Sequence, residues 1–256
     1  MHDLTLVVPC FNEARRLRRE AFAALHAATG ARLSFVDDGS TDDTAARLAE
    51  LCAELGPGAA TLLSLPRNVG KAEAIRAGLR AALAEGAEVV GFVDADMATP
   101  ASEVARLVST LRSTGAHVVM GSRVRLLGSD IDRRPARHYL GRVFATLASL
   151  SLGLPVYDTQ CGAKVFRDVP ALRAALERPF DARWAFDVEL LARLVAPLDG
   201  RDALSAKDVV EVPLRSWRDV AGSKLGRLDS ARAVADVVRV GLRLRRARGA
   251  TRPPQT

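Results

Sequence analysis

Asp94 and Asp96 stand one residue apart at the end of the apolar run Val89-Val90-Gly91-Phe92-Val93. That run reads as a buried strand, so both carboxylates fall where strand-and-helix chains bind ligands, at the carboxyl end of a strand. Paired hard oxygen donors suit a divalent cation that also holds phosphate oxygens. An Asp-rich polar turn has the same composition, and the pair alone does not separate the two readings. Two more runs end alike, Val8-Pro9-Cys10-Phe11-Asn12-Glu13 and Val36-Asp37-Asp38-Gly39-Ser40. In a parallel sheet Glu13, Asp38, Asp94 and Asp96 then line one crevice, where four acids need a cation or a donor-rich ligand. Asp38-Gly39-Ser40 also fits a turn with a helix N-cap.

A third strand is followed by Arg67-Asn68-Val69-Gly70-Lys71, which brings backbone N–H groups and a cation to the same edge. A phosphate fits there by position. The spacing is not that of a Walker A loop, and neither a Gly-x-Gly-x-x-Gly fingerprint nor a Gly-x-Ser-x-Gly elbow occurs. His2, His26, His117 and His138 are too scattered for a zinc pair.

The elements that position these residues alternate strictly. Strands are expected over 4–8, 33–36, 61–65, 89–93 and 117–120, and helices over 14–28, 42–55, 71–84 and 101–113. This predicts an α/β fold, a mostly parallel central sheet with helices on both faces. The alternation weakens after Ser122. Residues 128–137 read as a mobile loop, 139–152 as an apolar helix, 183–191 as a segment running into a helix, and 209–214 as a strand near the sheet edge. From Arg227 a helix is expected with Leu228, Ala231, Val234, Ala235, Val238 and Leu242 on one face and Arg232, Asp236, Arg239 and Arg243 on the other. The expected division is a domain over 1–226, then a basic amphipathic helix and disordered tail over 227–256.

Composition narrows the function classes. At 48% hydrophobic and 26% charged the chain is globular, and 256 residues suffice for one large domain. Cys10, Cys52 and Cys161 are too few and scattered for a disulfide framework or a zinc site, which points to a reducing cytoplasm. No basic n-region precedes the first strand, so no signal peptide is expected. The uncharged stretch 143–157 is shorter than the roughly 20 apolar residues of a membrane span. Six arginines between Arg239 and Arg252 account for much of the net charge of +7 and suit a solvated helix face or an anionic membrane surface. That tail has no aromatic residue, which argues against nucleic acid.

Val8–Glu13, Val36–Ser40, Asn68-Val69-Gly70-Lys71 and Val93-Asp94-Ala95-Asp96 together resemble the inverting nucleotide-sugar glycosyltransferases of the GT-A, family 2 class. Gly121-Ser122-Arg123, the run from Asp158 through Thr159-Gln160-Cys161-Gly162-Ala163-Lys164-Val165 to Phe166, Arg183 to Leu191, and Trp217 with Gly222-Ser223-Lys224-Leu225 are similar to its dolichyl-phosphate β-glucosyltransferase branch. Polyprenyl-phosphate mannose synthase is a close relative of that branch. The resemblance covers about residues 4–226 and implies a GT-A, Rossmann-like fold.

Carried over residue by residue, the resemblance implies that Pro9, Phe11, Glu13, Val36 and Asp38 hold the nucleoside, with Gly70, Lys71 and Ala95 also at the donor. Asp94 and Asp96 would hold Mg²⁺ or Mn²⁺ on the diphosphate. Mannose synthases place a Gln two residues past the second Asp; Ala98 stands here, which favours a UDP-glucose-like donor over GDP-mannose. Arg123, Arg218 and Lys224, with Asp96, match catalytic positions that bind the donor diphosphate or the lipid phosphate. Arg137, Asp158, Gln160, Glu189, Trp217 and Ser223 fall to the sugar or acceptor. Asp158 and Glu189 would orient sugar hydroxyls or basic residues, with an ion pair at a helix end as the competing reading. Lys164 receives no role, and Trp184 and Phe186 read as core.

The expected activity is transfer of glucose or a similar hexose from a nucleoside diphosphate to a polyprenyl phosphate. The acceptor phosphate is anionic at pH 7, so no dedicated base is required. A soluble hydroxyl acceptor, GDP-mannose as donor, and a non-catalytic nucleotide-sugar-binding protein are the alternatives. Eukaryotic members of this branch carry an N-terminal membrane anchor and many bacterial relatives C-terminal spans; neither is expected from these residues, so contact with a lipid acceptor is expected to be peripheral, on the cytoplasmic face.

Overall fold

In the computed structural model, residues 3–132, 135–196, 203–220 and 227–250 are described. The elements run β1 (Leu4–Cys10), α1 (Arg19–Thr29), β2 (Arg32–Asp37), α2 (Thr44–Leu55), β3 (Ala60–Ser64), α3 (Lys71–Ala84), β4 (Val89–Val93), α4 (Ala101–Ser113) and β5 (Val118–Ser122). They continue with β6 (Asp130–Asp132), α5 (Pro135–Leu152), β7 (Ala163–Arg167), α6 (Pro170–Glu177), α7 (Phe186–Val195), a 3₁₀ turn (Ala206–Asp208), β8 (Val209–Pro213), β9 (Ser216–Arg218) and α8 (Arg227–Ala250).

Seven strands form one sheet in the order β3-β2-β1-β4-β7-β5-β8. Every pairing is parallel except the two made by β7, which lies antiparallel between β4 and β5. The central parallel strands β1 and β4 are nearly continuous runs of buried apolar residues, as burial under helices on both faces requires. Side chains alternate across the sheet. Val7, Val36 and Phe92 join the core under α3 and α5–α8, whereas Leu6, Val8, Leu33 and Phe35 join the opposite core under α1, α2 and α4.

The expected mostly parallel sheet and flanking helices are present. Strand β7 was not expected, and residues 128–137, expected as a loop, include regular structure. They contain β6, which pairs parallel with β9, and the start of α5.

Helix α8 packs on α5 and α7; of the expected apolar face Val234 packs against the core and the side chains of Leu228 and Ala231 lie outside the described residues, but the remainder of the buried face differs. Ala233, Val237, Val240 and Leu244 are buried with Asp236, while Val238 and Leu242 are about half-exposed. Apolar residues occupy much of the helix circumference, so periodicity alone could not choose the face. Trp184 N–H donates to Asp236 and Arg239 pairs with it, which turns that acid inward. No described helix is long and apolar enough to cross a membrane.

Candidate active site

Strand order reverses between β1 and β4, and β1 pairs in parallel with both β2 and β4. The carboxyl ends of three strands therefore open side by side on one crevice, the usual ligand position in such sheets.

The loops after β1 and β2 brace each other. Asn12 adopts a left-handed φ of 51°. Its N–H donates to Ser40 Oγ at 3.0 Å, and its Oδ1 accepts from Thr41 N–H at 2.9 Å. Glu13 N–H donates to Thr44 Oγ1, and the Glu13 carboxylate pairs with Arg16. Gly39, at φ 63°, lies against the Arg67–Asn68 backbone where a Cβ would collide.

Asp38 is buried, and its two oxygens accept the N–H groups of Val69 at 2.7 Å and Gly70 at 2.8 Å. It thereby fixes the loop that leads into Lys71. Burial raises its carboxyl above the ordinary value, outweighing the two donors. Val36 is fully buried against Gly78 of α3, so its side chain packs the sheet. Pro9 sits opposite Val36 in the β1–β2 register, and Phe11, just past β1, is half-buried.

The β4 turn is held from several sides. Asp94 N–H donates to Gly162 O at 3.0 Å, Met97 N–H to Asp94 O at 3.1 Å, and Ala98 N–H to Asp96 Oδ1 at 3.1 Å. Met97 takes a left-handed φ of 51°, and Ala95, Met97 and Ala98 are buried, so the two carboxylates project from a tight turn. Gly162 is obligatory here: a Cβ would come within 3.0 Å of both Asp94 carboxylate oxygens.

Asp94 Oδ1 is buried, and Lys71 Nζ pairs with it at 2.6 Å. Burial opposes the Lys71 charge, but Asp94, Asp187 and Asp96 hold the ammonium above its ordinary pKa. Asp96 is raised by burial and then by the neighbouring Asp94. Two hard carboxylates that crowd one another at the end of a strand, each raising the need for a positive neighbour, fit a hard cation. Among the described residues, no three His, Cys, Asp or Glu side chains cluster closely enough to hold a metal alone. A cation on this pair would complete its shell with phosphate oxygens and water, as Mg²⁺ commonly does.

A second network lies across the crevice. Asp158 accepts from Arg123 Nε at 2.7 Å, Arg123 Nη2 at 2.8 Å and Arg123 N–H at 2.9 Å. Although burial opposes the guanidinium charge, Asp158 raises its pKa well above the usual range. Arg123 also stands over the Trp217 ring, 5.4 Å from its centroid. Glu211 accepts the N–H groups of Tyr157 and Asp158 and, being partly buried, is raised in pKa.

Glu189 accepts from Ala182 N–H at 2.6 Å and pairs with Arg193 at 2.6 Å, which is the ion-pair reading. Gln160 Nε2 donates to Trp184 O at 3.5 Å. Arg218 N–H donates to Ala98 O, tying β9 to the β4 turn, while its exposed guanidinium is 3.5 Å from Asp130. Ser223 and Lys224 lie outside the described residues, as does the Arg137 side chain.

Sequence reasoning missed several groups. Arg16 and Arg18 stand near the β4 turn, where Arg16 feels both Asp94 and Asp96 and Arg18 Nη2 donates to Asp96 O at 3.3 Å. Their signal was the basic run directly after Glu13. Arg183 lies over Gly70 and acts on the charge of Asp38. The buried pair Lys164–Asp187 behind the turn had no sequence signal beyond an odd Lys within an apolar run.

Comparison with known proteins agrees with this geometry. The chain is 30% identical over 255 residues to a dolichyl-phosphate beta-glucosyltransferase of Trichomonas vaginalis, covering 94% of this chain and 71% of that protein. It is 27% identical to a polyprenol monophosphomannose synthase of Mycolicibacterium smegmatis, covering 96% and 91%. Its fold matches glucosyl-3-phosphoglycerate synthase of Mycobacterium tuberculosis, solved with Mn²⁺, UDP-glucose and phosphoglyceric acid, at a TM-score of 0.62 and 20% identity over 94% of this chain and 80% of that one. Residues 5–171 match the family described as Glycosyl transferase family 2, so the chain belongs to that family and is a glycosyltransferase of GT-A fold.

Proposed function

We propose that the protein transfers glucose from UDP-glucose to a polyprenyl phosphate with inversion, using Mg²⁺ or Mn²⁺. The observation that carries this reading is the Asp94–Asp96 turn at the switch point, with both carboxylates projecting beside the Lys71 ammonium, 2.6 Å from Asp94 Oδ1. The names of the relatives support a glucosyl or mannosyl group and a dolichyl or polyprenyl phosphate acceptor.

Asp94 and Asp96 would hold the cation, which would neutralise charge building on the leaving diphosphate. Lys71 and Arg183 stand where positive charge could meet the same phosphates, and Arg16 helps to balance the two acids. The Asp38-held loop fixes the N–H groups and the lysine at the start of α3. Arg123, Asp158, Glu211 and Trp217 would shape the opposite wall, where the sugar and acceptor meet.

Asp158 and Glu189 are both engaged in ion pairs, which disfavours either as a general base for a hydroxyl acceptor. An acceptor phosphate already carries the nucleophilic charge. We further propose peripheral docking on an anionic membrane surface. Val143 and Leu150 on α5 and Val238 and Leu242 on α8 are exposed on two helices packed together, which also carry exposed Arg142, Arg239 and Arg243, the last two paired with Asp236 and Asp181.

Incubation with labelled UDP-glucose, Mn²⁺ and polyprenyl phosphate tests the reading. Label in the organic phase supports it. Label only in a water-soluble product, transfer only from GDP-mannose, or nucleotide binding without turnover would replace it.

A further inference from the structure

Lys164 is the one lysine or arginine among the described residues that is almost wholly buried, with no side-chain exposure. It occupies the middle of the sheet, in register with Phe92 of β4 and Met120 of β5, and its ammonium is 5.1 Å from the Phe92 ring centroid. Nζ donates to Asp187 Oδ1 at 2.6 Å and to Cys161 O at 2.7 Å. Asp187 comes from the first turn of α7 and is itself buried.

A charge pair at this depth loses hydration that apolar side chains of similar volume would not, so stability alone does not explain it. Its contacts lead to Asp94 by two routes. Through the backbone, the Cys161 carbonyl held by Lys164 precedes Gly162, whose Cα supports the Asp94 carboxylate and whose carbonyl accepts the Asp94 N–H. Through charge, Asp187 joins Asp94 in attracting Lys71, the cation 2.6 Å from Asp94 Oδ1.

We propose that Lys164 and Asp187 are positioning residues for Asp94, fixing the Cys161–Gly162 peptide and the Lys71 ammonium so that the carboxylate is held ready for a divalent cation. This rests on the reading of Asp94 as a cation ligand. Partners behind a metal ligand typically change metal affinity by about 10- to 100-fold when removed.

The test is Mn²⁺ affinity of the full chain, read from the electron paramagnetic resonance of free Mn²⁺ with and without UDP. Lys164→Met alone strands Asp187 as an unpaired buried charge and is expected to lose stability as well as affinity. The double variant Lys164→Met with Asp187→Leu removes both charges and is expected to fold, yet to bind Mn²⁺ at least about tenfold more weakly. A folded double variant with wild-type Mn²⁺ affinity overturns the proposal. Failure of both variants to fold also overturns it, in favour of a purely structural pair. If the wild-type chain takes up no Mn²⁺ in either condition, the cation reading itself has failed.

Discussion

The Asp94 carboxylate rests on the Cα of Gly162, a residue sixty-eight positions away, with both oxygens inside the space a Cβ would need. The antiparallel insertion of β7 beside β4 brings the two together, because Val93 pairs with Ala163. Gly162→Ala must therefore push the carboxylate aside. We expect a fold cost of about 1–3 kcal/mol from overpacking and a Mn²⁺ affinity at least about tenfold weaker, measured by thermal melting and metal titration.

Asp38 satisfies two N–H groups of the loop leading to Lys71. Asp38→Ala leaves both without their acceptor, at a cost of about 3 kcal/mol. In a chain of this size that lowers the melting temperature by roughly 6–12 °C. A melting temperature within a degree of wild type would show that the loop does not depend on this carboxylate.

Arg123 and Asp158 form a bidentate pair with both side chains largely buried. Removing one partner strands the other, so Arg123→Leu and Asp158→Leu should each destabilise by roughly 3 kcal/mol, with the double variant costing less than their sum. A double-mutant cycle in urea reads the coupling directly, and additive costs would mean the pair is not a unit.

Burial, with Asp158 adding to it, pushes the Cys161 thiol up to about 11. A raised thiol pKa means less thiolate at pH 8, and Cys161 is also wholly buried. Iodoacetamide at pH 8 should therefore leave Cys161 unmodified in the native protein and alkylate it after unfolding, as peptide mass mapping would detect. Rapid native labelling would contradict this placement.

Docking on a membrane predicts salt-sensitive binding to vesicles containing anionic lipid, because each basic residue near the surface contributes on the order of 1 kcal/mol. Flotation should show binding at low salt that weakens as salt rises. Absence of binding at low salt would remove the peripheral reading.

The first half of the fold was legible because its strands and helices alternate with clear periodicity, and the three acidic strand ends follow from that order. Strand β7 was not, because five residues that include a lysine and an arginine lack a strand pattern and their insertion between β4 and β5 depends on distant partners. The three-residue strands β6 and β9 are too short to carry a period. Among the site residues, chain order could bring Asp38 near the crevice and the family resemblance could single out Glu189, but neither could reveal that Val69, Gly70, Ala182 and Arg193 occupy their oxygens. The contributions of Arg16, Arg18 and Arg183 depend on distances that arise only after folding.

The central claim is that the Asp94–Asp96 pair makes hexose transfer to a lipid phosphate dependent on a divalent cation. Transfer of label from UDP-glucose to polyprenyl phosphate, compared between wild type and Asp96→Ala at equal folded concentration, tests it most directly. Organic-phase label is expected for wild type with Mn²⁺, none after chelation, and at least about a hundredfold less for a variant that melts as wild type does. Undiminished transfer by Asp96→Ala, or transfer by wild type that persists in chelator, would contradict it.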